Sequence, residues 1–499
     1  MGADVVLVGL DGADRTEVAR LADEGHLPVI AGLRAQGRWG SVNAFDGLGD
    51  DAAWSSFATG TTPGRHGRHF YRHYRPGTYD WVPSSRDDIR GDPFWDTLAA
   101  RGHRFAVLDV PKAPIGRHAE NLVVADWMSH GAHELLATCH PAPIWGEQLA
   151  GWLDRDETTW DCHDAGSDDD FVSSLRQHAA LRTDFAIDVL QRAHWDAIVV
   201  VFSETHCSGH LLWDRFDRVE DVYRAVDAQL GRLLDAAGAA STVIAFSLLG
   251  MGRHYSSAQL ADAVLERLEP ASTRAELPLT RRGLDAVRAR IPRAVRDRIP
   301  ARVRRVASNS RDREFGQRRF WRVPTDLPHT PIRVNVIGRE PYGKVAPGAE
   351  LDALRDELRS EFLALVEPGT GRRLVRDVIV AREAYPGGAP EDFADLSVVW
   401  DRTQALASAS SPRVGELHVV PDAWRPGEHR DGGWLAASGP GIAHGILDEP
   451  ASVLDFASTV ACLVGASFDR EGSAIPGLVR PASAQTVVGS TLNADQSSA

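Results

Sequence analysis

Near its centre the chain runs Ala197-Ile-Val-Val-Val-Phe202-Ser203-Glu-Thr-His206-Cys-Ser-Gly-His210. Ala197 to Phe202 is wholly apolar and rich in β-branched residues. That is the pattern of a strand covered on both faces, as in buried parallel sheets. The polar segment after it leaves the carboxyl end of the strand, where open α/β sheets keep their chemistry. His206 and His210 stand four apart there, and imidazole is the commonest metal ligand. Two histidines with no common task would give the same pattern, so the decision falls to the rest of the chain.

Working outward, Val5 to Leu10 is a second short apolar run, closed by Asp11-Gly12. Phe105 to Val110 and Thr242 to Phe246 read as further strands. Thr16 to Gly37 reads as helical with an interruption near Gly25 and Pro28. Phe216 to Ala237 is an apolar-periodic helix with charged outer positions. Strands alternating with helices predict an α/β fold with a doubly wound, mostly parallel sheet. Strand-like segments resume at Ile332 to Ile337 and Leu396 to Trp400. Between the two sets, residues 273 to 322 are dense in arginine. There Leu284, Val287, Ile291, Val295, Ile299 and Val303 fall at helical spacing, and Pro292 and Pro300 break any long helix. This segment reads as an amphipathic helical insertion over the core, or as an anion-attracting lid or a contact with membrane phosphate. The expected organisation is a core from 1 to 272, the insertion at 273 to 322, a second core part from 323 to 483, and a disordered tail from 484 to 499.

At 499 residues, with 43% hydrophobic and 25% charged residues, the composition is that of a soluble globular protein. A formal net charge of −14 argues against a general nucleic-acid binder, while leaving anionic small substrates open. The cysteines Cys139, Cys162, Cys207 and Cys462 lack CxxC spacing, which predicts neither a disulfide framework nor a thiolate zinc site. The N-terminal apolar run is too short for a signal peptide, and no stretch is long enough to cross a membrane. Together these predict a cytoplasmic protein without integral membrane contact.

Several segments in order carry a resemblance. They are Val8-Gly-Leu-Asp11-Gly12, Ala53-Trp54 to Thr59-Gly60 with Pro63 and His66-Gly67, Phe202 to His210, Ser247-Leu-Leu-Gly250, Ile332-Arg333-Val-Asn335 to Gly338-Arg339-Glu340-Pro341, Gly427-Glu-His429 and Gly439-Pro-Gly441. Over most of its length the chain resembles the alkaline phosphatase superfamily, in its type I phosphodiesterase/nucleotide pyrophosphatase-like branch. The resemblance implies an alkaline-phosphatase-like sheet with helices on both faces and a helical cap insertion. It also implies two close metal ions, usually zinc, that activate a Ser or Thr nucleophile toward a phosphoryl or sulfuryl group. Carried over by position, Asp11 matches the N-terminal metal carboxylate, His210 a metal histidine, and His429 the distant histidine of the same ion. Arg333 and Asn335 become candidate substrate-binding residues, since an arginine fork suits phosphate. Arg339, beside Glu340, reads rather as a structural ion pair.

Three departures reshape that expectation. His206 stands where the family usually has Asp, giving three neutral imidazoles and an open fourth position, the arrangement of a catalytic zinc site. Leu248-Leu249 stands where the second ion would find an Asp-His pair, and leucine ligates nothing; His254, close in sequence, is a candidate to compensate, or a surface histidine in a Gly/Ser loop. Asp50 stands in the register of the nucleophile, followed by Asp51, and a carboxylate there can ligate, act as general base, or attack. The predicted site is therefore one zinc ion rather than two, with manganese or another divalent metal as alternatives. His206, His210 and His429 would hold it, with Asp11 as ligand or acid/base group and Asp50 as catalytic carboxylate. Expected function is hydrolysis of a small anionic ester (phosphate mono- or diester, sulfate or phosphonate) by metal-activated water, without a covalent enzyme intermediate. The alternatives are a lyase or transferase in a specialised biosynthetic pathway, and a non-catalytic descendant that binds an anion or a partner.

Overall fold

A computed structural model describes residues 2–127, 138–153, 155, 167–269, 315–325, 328–387, 393–422 and 425–479. Residues 273–314 of the arginine-rich segment and the whole 484–499 tail lie outside this set.

The apolar runs become the centre of a ten-stranded sheet. Gly2–Leu10 pairs in parallel with His194–Phe202 on one side and Thr242–Ser247 on the other. Phe105–Leu108 extends the parallel set next to His194–Phe202, and Leu122–Ala125 follows it. Antiparallel pairing enters with Gly433–Ser438, which bridges Thr242–Ser247 and Arg38–Asn43. The fold is α/β with a large, mostly parallel central sheet, as expected.

Strand alternation divides the core in two. Val6, Val8, Leu10, Ile198, Val200 and Phe202 face one side, where Phe216–Ala237, Asp168–Arg192 and the pair Arg15–Asp23 and Pro28–Gln36 pack. Val5, Leu7, Val199 and Val201 face the other, under Asp50–Thr59, Phe94–Ala99 and Asp455–Leu463. Each fully buried Val or Phe contributes about 1.5–3 kcal/mol. With both faces covered the runs need no polar alternation, which is why they are legible as continuous apolar segments.

A four-stranded antiparallel sheet, in the order Phe320–Arg322, Thr330–Val334, Leu396–Trp400, Val375–Val380, builds a smaller lobe. It packs with Ala258–Leu268 and Ala349–Leu363 into a separate apolar cluster. Phe320–Arg322, at the end of the arginine-rich stretch, is thus an edge strand of this lobe. Among the described residues no helix is long and apolar enough to cross a membrane. Cys139 and Cys462 are free, but Cys207 is disulfide-bonded.

Candidate metal centre

Four chain segments leave the carboxyl ends of adjacent parallel strands and converge. Asp11 follows Gly2–Leu10, and its backbone N–H donates to the Phe202 carbonyl at 3.0 Å. Ser203 ends the next strand and opens the helix Glu204–Leu212, on which His206 and His210 lie one turn apart on the same face. Leu248 and Leu249 follow Thr242–Ser247, and Lys112 lies just beyond Phe105–Leu108.

His429 arrives from elsewhere in the chain. Gly427–Arg430 pairs antiparallel with Gly250–Arg253, placing His429 opposite Met251. Glycine makes the approach possible. A Cβ on Gly427 would lie 1.9 Å from the Gly209 carbonyl oxygen, and one on Gly209 would lie 2.8 Å from the Met251 side chain. The hairpin therefore seats directly on the histidine helix. His210 Nδ1 donates to the Gly427 carbonyl at 3.0 Å, which fixes its tautomer and leaves Nε2 as the ligand atom.

The outcome is a buried group in which one ligand atom from each of His206, His210 and His429 lies within 4.8 Å of the others. Ring centroids are 4.4 Å apart for His206–His210, 4.7 Å for His206–His429 and 4.9 Å for His210–His429. Burial, with Arg425 next in effect, holds the His210 imidazole well below the usual range. His429 is lowered as well, by burial against the opposing pull of Asp50. Both shifts favour the neutral ring, the state a metal requires. Both nitrogens of His429 lack a hydrogen bond although they are buried. Unpaired nitrogens are costly in a dry interior, and a divalent ion among the rings would satisfy them. The donor set fits zinc.

Asp11 lies to the side of this group. Its Oδ2 is 3.2 Å from His206 Nδ1, and its Oδ1 accepts from the Trp54 indole at 3.0 Å. Burial would raise its carboxyl, but His206 outweighs that and the net shift is downward. In this position Asp11 can orient His206 in the carboxylate–histidine–metal arrangement. Asp50 begins the helix Asp50–Thr59, whose ten residues are all buried, so its carboxylate sits at the favourable end of the helix dipole. Its Oδ2 lies 3.9 Å from His429 Nε2 and 2.5 Å from the Lys112 ammonium. Asp51 faces Lys112 at 3.3 Å and Arg68 at 3.1 Å.

The other candidates are placed elsewhere. Leu248 and Leu249 are packed into the apolar core beside the sheet. His254 turns to Glu428, its Nδ1 3.4 Å from the carboxylate. Arg333 is buried in the smaller lobe, paired with Glu340 at 2.9 Å and bonded to the Phe393 carbonyl. Asn335 is also buried, accepting from Tyr79 Oη at 2.9 Å and donating to the carbonyls of Phe315 and Arg318. Neither joins the histidines. Arg339 is ion-paired to Glu340 and Asp395.

Sequence reading did not single out Lys112, Arg68, Arg182 or Glu204. Arg182 grips both oxygens of Glu204 at 2.7 and 2.6 Å and reaches Asp109 at 3.4 Å, all three groups buried. This anchors the first turn of the histidine helix from below. The signal available for Lys112 was its place just past a strand's carboxyl end. Glu204 and Arg182 gave none, since they meet only through the fold. A Ser-His pair also exists, Ser56 Oγ to His66 Nε2 at 2.8 Å. His66 Nδ1 accepts from the Arg68 backbone at 3.0 Å, so Nε2 carries the proton and cannot serve as a base toward Ser56.

Residues 5–424 match the family model described as type I phosphodiesterase / nucleotide pyrophosphatase. No curated protein sequence matches the chain. Among solved structures, phosphonoacetate hydrolase from Sinorhizobium meliloti 1021 in complex with phosphonoacetate is 13% identical, with TM-score 0.52, covering 93% of this chain and 95% of that one. The same enzyme with phosphonoformate gives TM-score 0.51 at 13% identity and the same coverage. An inactive form of murine ectonucleotide pyrophosphatase / phosphodiesterase 5 in complex with AMP is 13% identical, with TM-score 0.50, covering 94% of this chain and 97% of that one. At such identity the likeness is one of fold.

Proposed function

The chain belongs to the type I phosphodiesterase / nucleotide pyrophosphatase family and is an enzyme of hydrolase type; from that premise we propose that it hydrolyses a small phosphate or phosphonate ester at a single metal ion. The observation that carries the reading is the buried group His206, His210 and His429, with ligand atoms within 4.8 Å of one another and Asp50 at its edge. These three histidines would hold the ion, zinc suiting them best, with Asp11 orienting His206. When bound, such an ion supplies Lewis acidity toward a phosphoryl oxygen and toward water.

The remaining steps belong to the chain. Asp50 is the carboxylate nearest the open side of His429, and it takes the proton of the attacking water. Lys112 holds Asp50 in place through its ammonium–carboxylate contact. Arg68 and Lys112 together neutralise Asp51, which would otherwise repel an anionic substrate. No hydroxyl stands at position 50, so attack by water on phosphorus, with loss of the ester alcohol, needs no covalent enzyme intermediate. Core packing of Leu248 and Leu249 supports one ion over two.

The test is metal analysis joined to turnover of p-nitrophenyl phosphate and bis(p-nitrophenyl) phosphate. The expected result is one zinc per chain and activity lost on chelation, with kcat lowered about 10²- to 10⁴-fold in Asp50→Asn. Two tightly bound zinc ions per chain would sink the one-ion reading. Unchanged turnover in the variant would remove Asp50 from the mechanism.

A further inference from the structure

Of the 55 basic residues in this chain, only Lys112 and Lys344 are lysines. Among the described residues the other ion pairs are made with arginine or histidine, yet the cation paired with Asp50, beside His429, is a lysine. The two side chains differ physically. Guanidinium is a broad planar fork, whereas ammonium is a compact point charge with three donors that fits between close oxygens. Lys112 spends one donor on Asp50 Oδ2 at 2.5 Å and one on Asp51 Oδ2 at 3.3 Å. No hydrogen bond among the described residues takes the third.

The group is held where it is by its backbone. Lys112 has φ 54, in the left-handed region that a side-chain-bearing residue rarely adopts. Its carbonyl accepts from Ser55 Oγ at 3.1 Å, tying the loop to the helix that carries Asp50 and Asp51. The side chain is 19% exposed while its two carboxylate partners are 10% and 1% exposed. Part of the Lys112 side chain thus reaches the surface while its partners lie deeper. Such strain, retained next to a cluster of charged groups, is characteristic of functional positions.

We propose that Lys112 is a substrate-binding residue, the second cation of the site. Its third N–H donates to an oxygen of the phosphoryl or phosphonyl group bound beside the histidines. The proposal rests on the metal-hydrolase reading and deepens it: the ligand class is a tetrahedral oxyanion held between one divalent ion and one fixed ammonium. An arginine at 112 could not sit between Asp50 and Asp51 without displacing them.

Calorimetric titration with inorganic phosphate tests this, using the protein loaded with one equivalent of zinc as wild type, Lys112→Ala and Lys112→Arg. A hydrogen bond between charged groups predicts about ten- to hundredfold weaker phosphate binding in Lys112→Ala. Partial recovery is expected in Lys112→Arg, which keeps the charge but not the fit. Zinc affinity, measured separately, should stay within about tenfold, because the three histidines are untouched. Thermal unfolding of each variant separates loss of the site from loss of the fold, and Lys112→Gln replaces Lys112→Ala if the latter does not fold. Phosphate affinity within about twofold of wild type in the alanine or glutamine variant overturns the proposal. Absence of phosphate binding by the zinc-loaded wild type overturns it as well. Failure of zinc to bind at all falls instead on the metal reading; the same titrations on the metal-free protein then decide Lys112 alone.

Discussion

Replacing His210 by alanine is the sharpest perturbation of the metal centre. The change removes one of three imidazoles and the hydrogen bond from His210 Nδ1 to the Gly427 carbonyl at 3.0 Å. A structural zinc held by four ligands is bound by about 10–16 kcal/mol, or roughly 3 kcal/mol per ligand. At 1.36 kcal/mol per decade, losing one ligand weakens zinc binding on the order of 100-fold. Two costs act on the fold itself: the Gly427 carbonyl loses its partner, about 1–3 kcal/mol, and a cavity opens under the hairpin. Competition against a chromogenic chelator reads the affinity directly. Linkage offers a second reading. Zinc at about 100 times the wild-type Kd stabilises the folded state by about 2.7 kcal/mol, and after a 100-fold loss the same concentration gives about 0.4 kcal/mol. Hydrolysis should fall with the metal. A variant that keeps wild-type zinc affinity, or that turns over substrate normally, refutes the assigned site.

Two further outcomes follow from the geometry. Gly427→Ala places a Cβ 1.9 Å from the Gly209 carbonyl, so the hairpin must lift and carry His429 with it; zinc affinity should drop about tenfold and stability by about 1–3 kcal/mol, read by chelator competition and denaturant unfolding. His66 is held well below its usual range by burial, and burial likewise lowers His69 and His329 to about 3. Above pH 6.5 neither folded nor unfolded chain protonates these three, so they contribute nothing there. Below it the unfolded chain takes up protons more readily, so stability falls by about 1.2 kcal/mol each for His69 and His329 between pH 7 and 5.5, about 2.5 kcal/mol together, with His66 adding in the same direction. Equilibrium unfolding at the two pH values checks the sign, and stability that rises on acidification would contradict it.

What could be read in the sequence divides along a physical line. Strands buried on both faces are continuous apolar runs, so Gly2–Leu10, His194–Phe202 and Thr242–Ser247 were visible within a few residues, and Phe216–Ala237 coincides with its periodic pattern. The smaller lobe was less visible. Its short antiparallel strands, such as Phe320–Arg322, carry too few residues for a period to register. His206 and His210 could be paired from spacing alone because a helix returns to the same face after four residues. His429 could be joined to them only through the family resemblance, since 219 positions separate it from His210. Arg333 and Asn335 had surroundings that spacing could not indicate. Arg-x-Asn beside an Arg-Glu pair reads as an anion fork, and in the structure both side chains are buried in the smaller lobe with Arg333 paired to Glu340.

Charge decides why a site without an Asp-His pair after Thr242–Ser247 can still be coherent. Asp11, Asp50 and Asp51 put three negative charges beside the three imidazoles, opposed by Lys112 and Arg68, while Glu428 is matched by Arg425. Alone, that set is net negative by one and would repel a phosphate ester. One divalent ion makes it net positive by one, which attracts the substrate. A second would raise it to three, with no Asp-His carboxylate to share the load, since Leu248 and Leu249 lie in the core. At a separation of about 4 Å, a surplus of two like charges costs several kcal/mol even at an effective dielectric near 20. Lys112 supplies one positive charge where a second ion would bring two. It also comes covalently attached, so that no ion has to be gathered from solution to bind there. On the one-ion reading proposed above, imidazole at position 206, leucine at 248 and 249, and lysine at 112 form one electrostatic solution, and restoring a carboxylate at 206 alone should weaken anion binding instead of rebuilding a two-metal site.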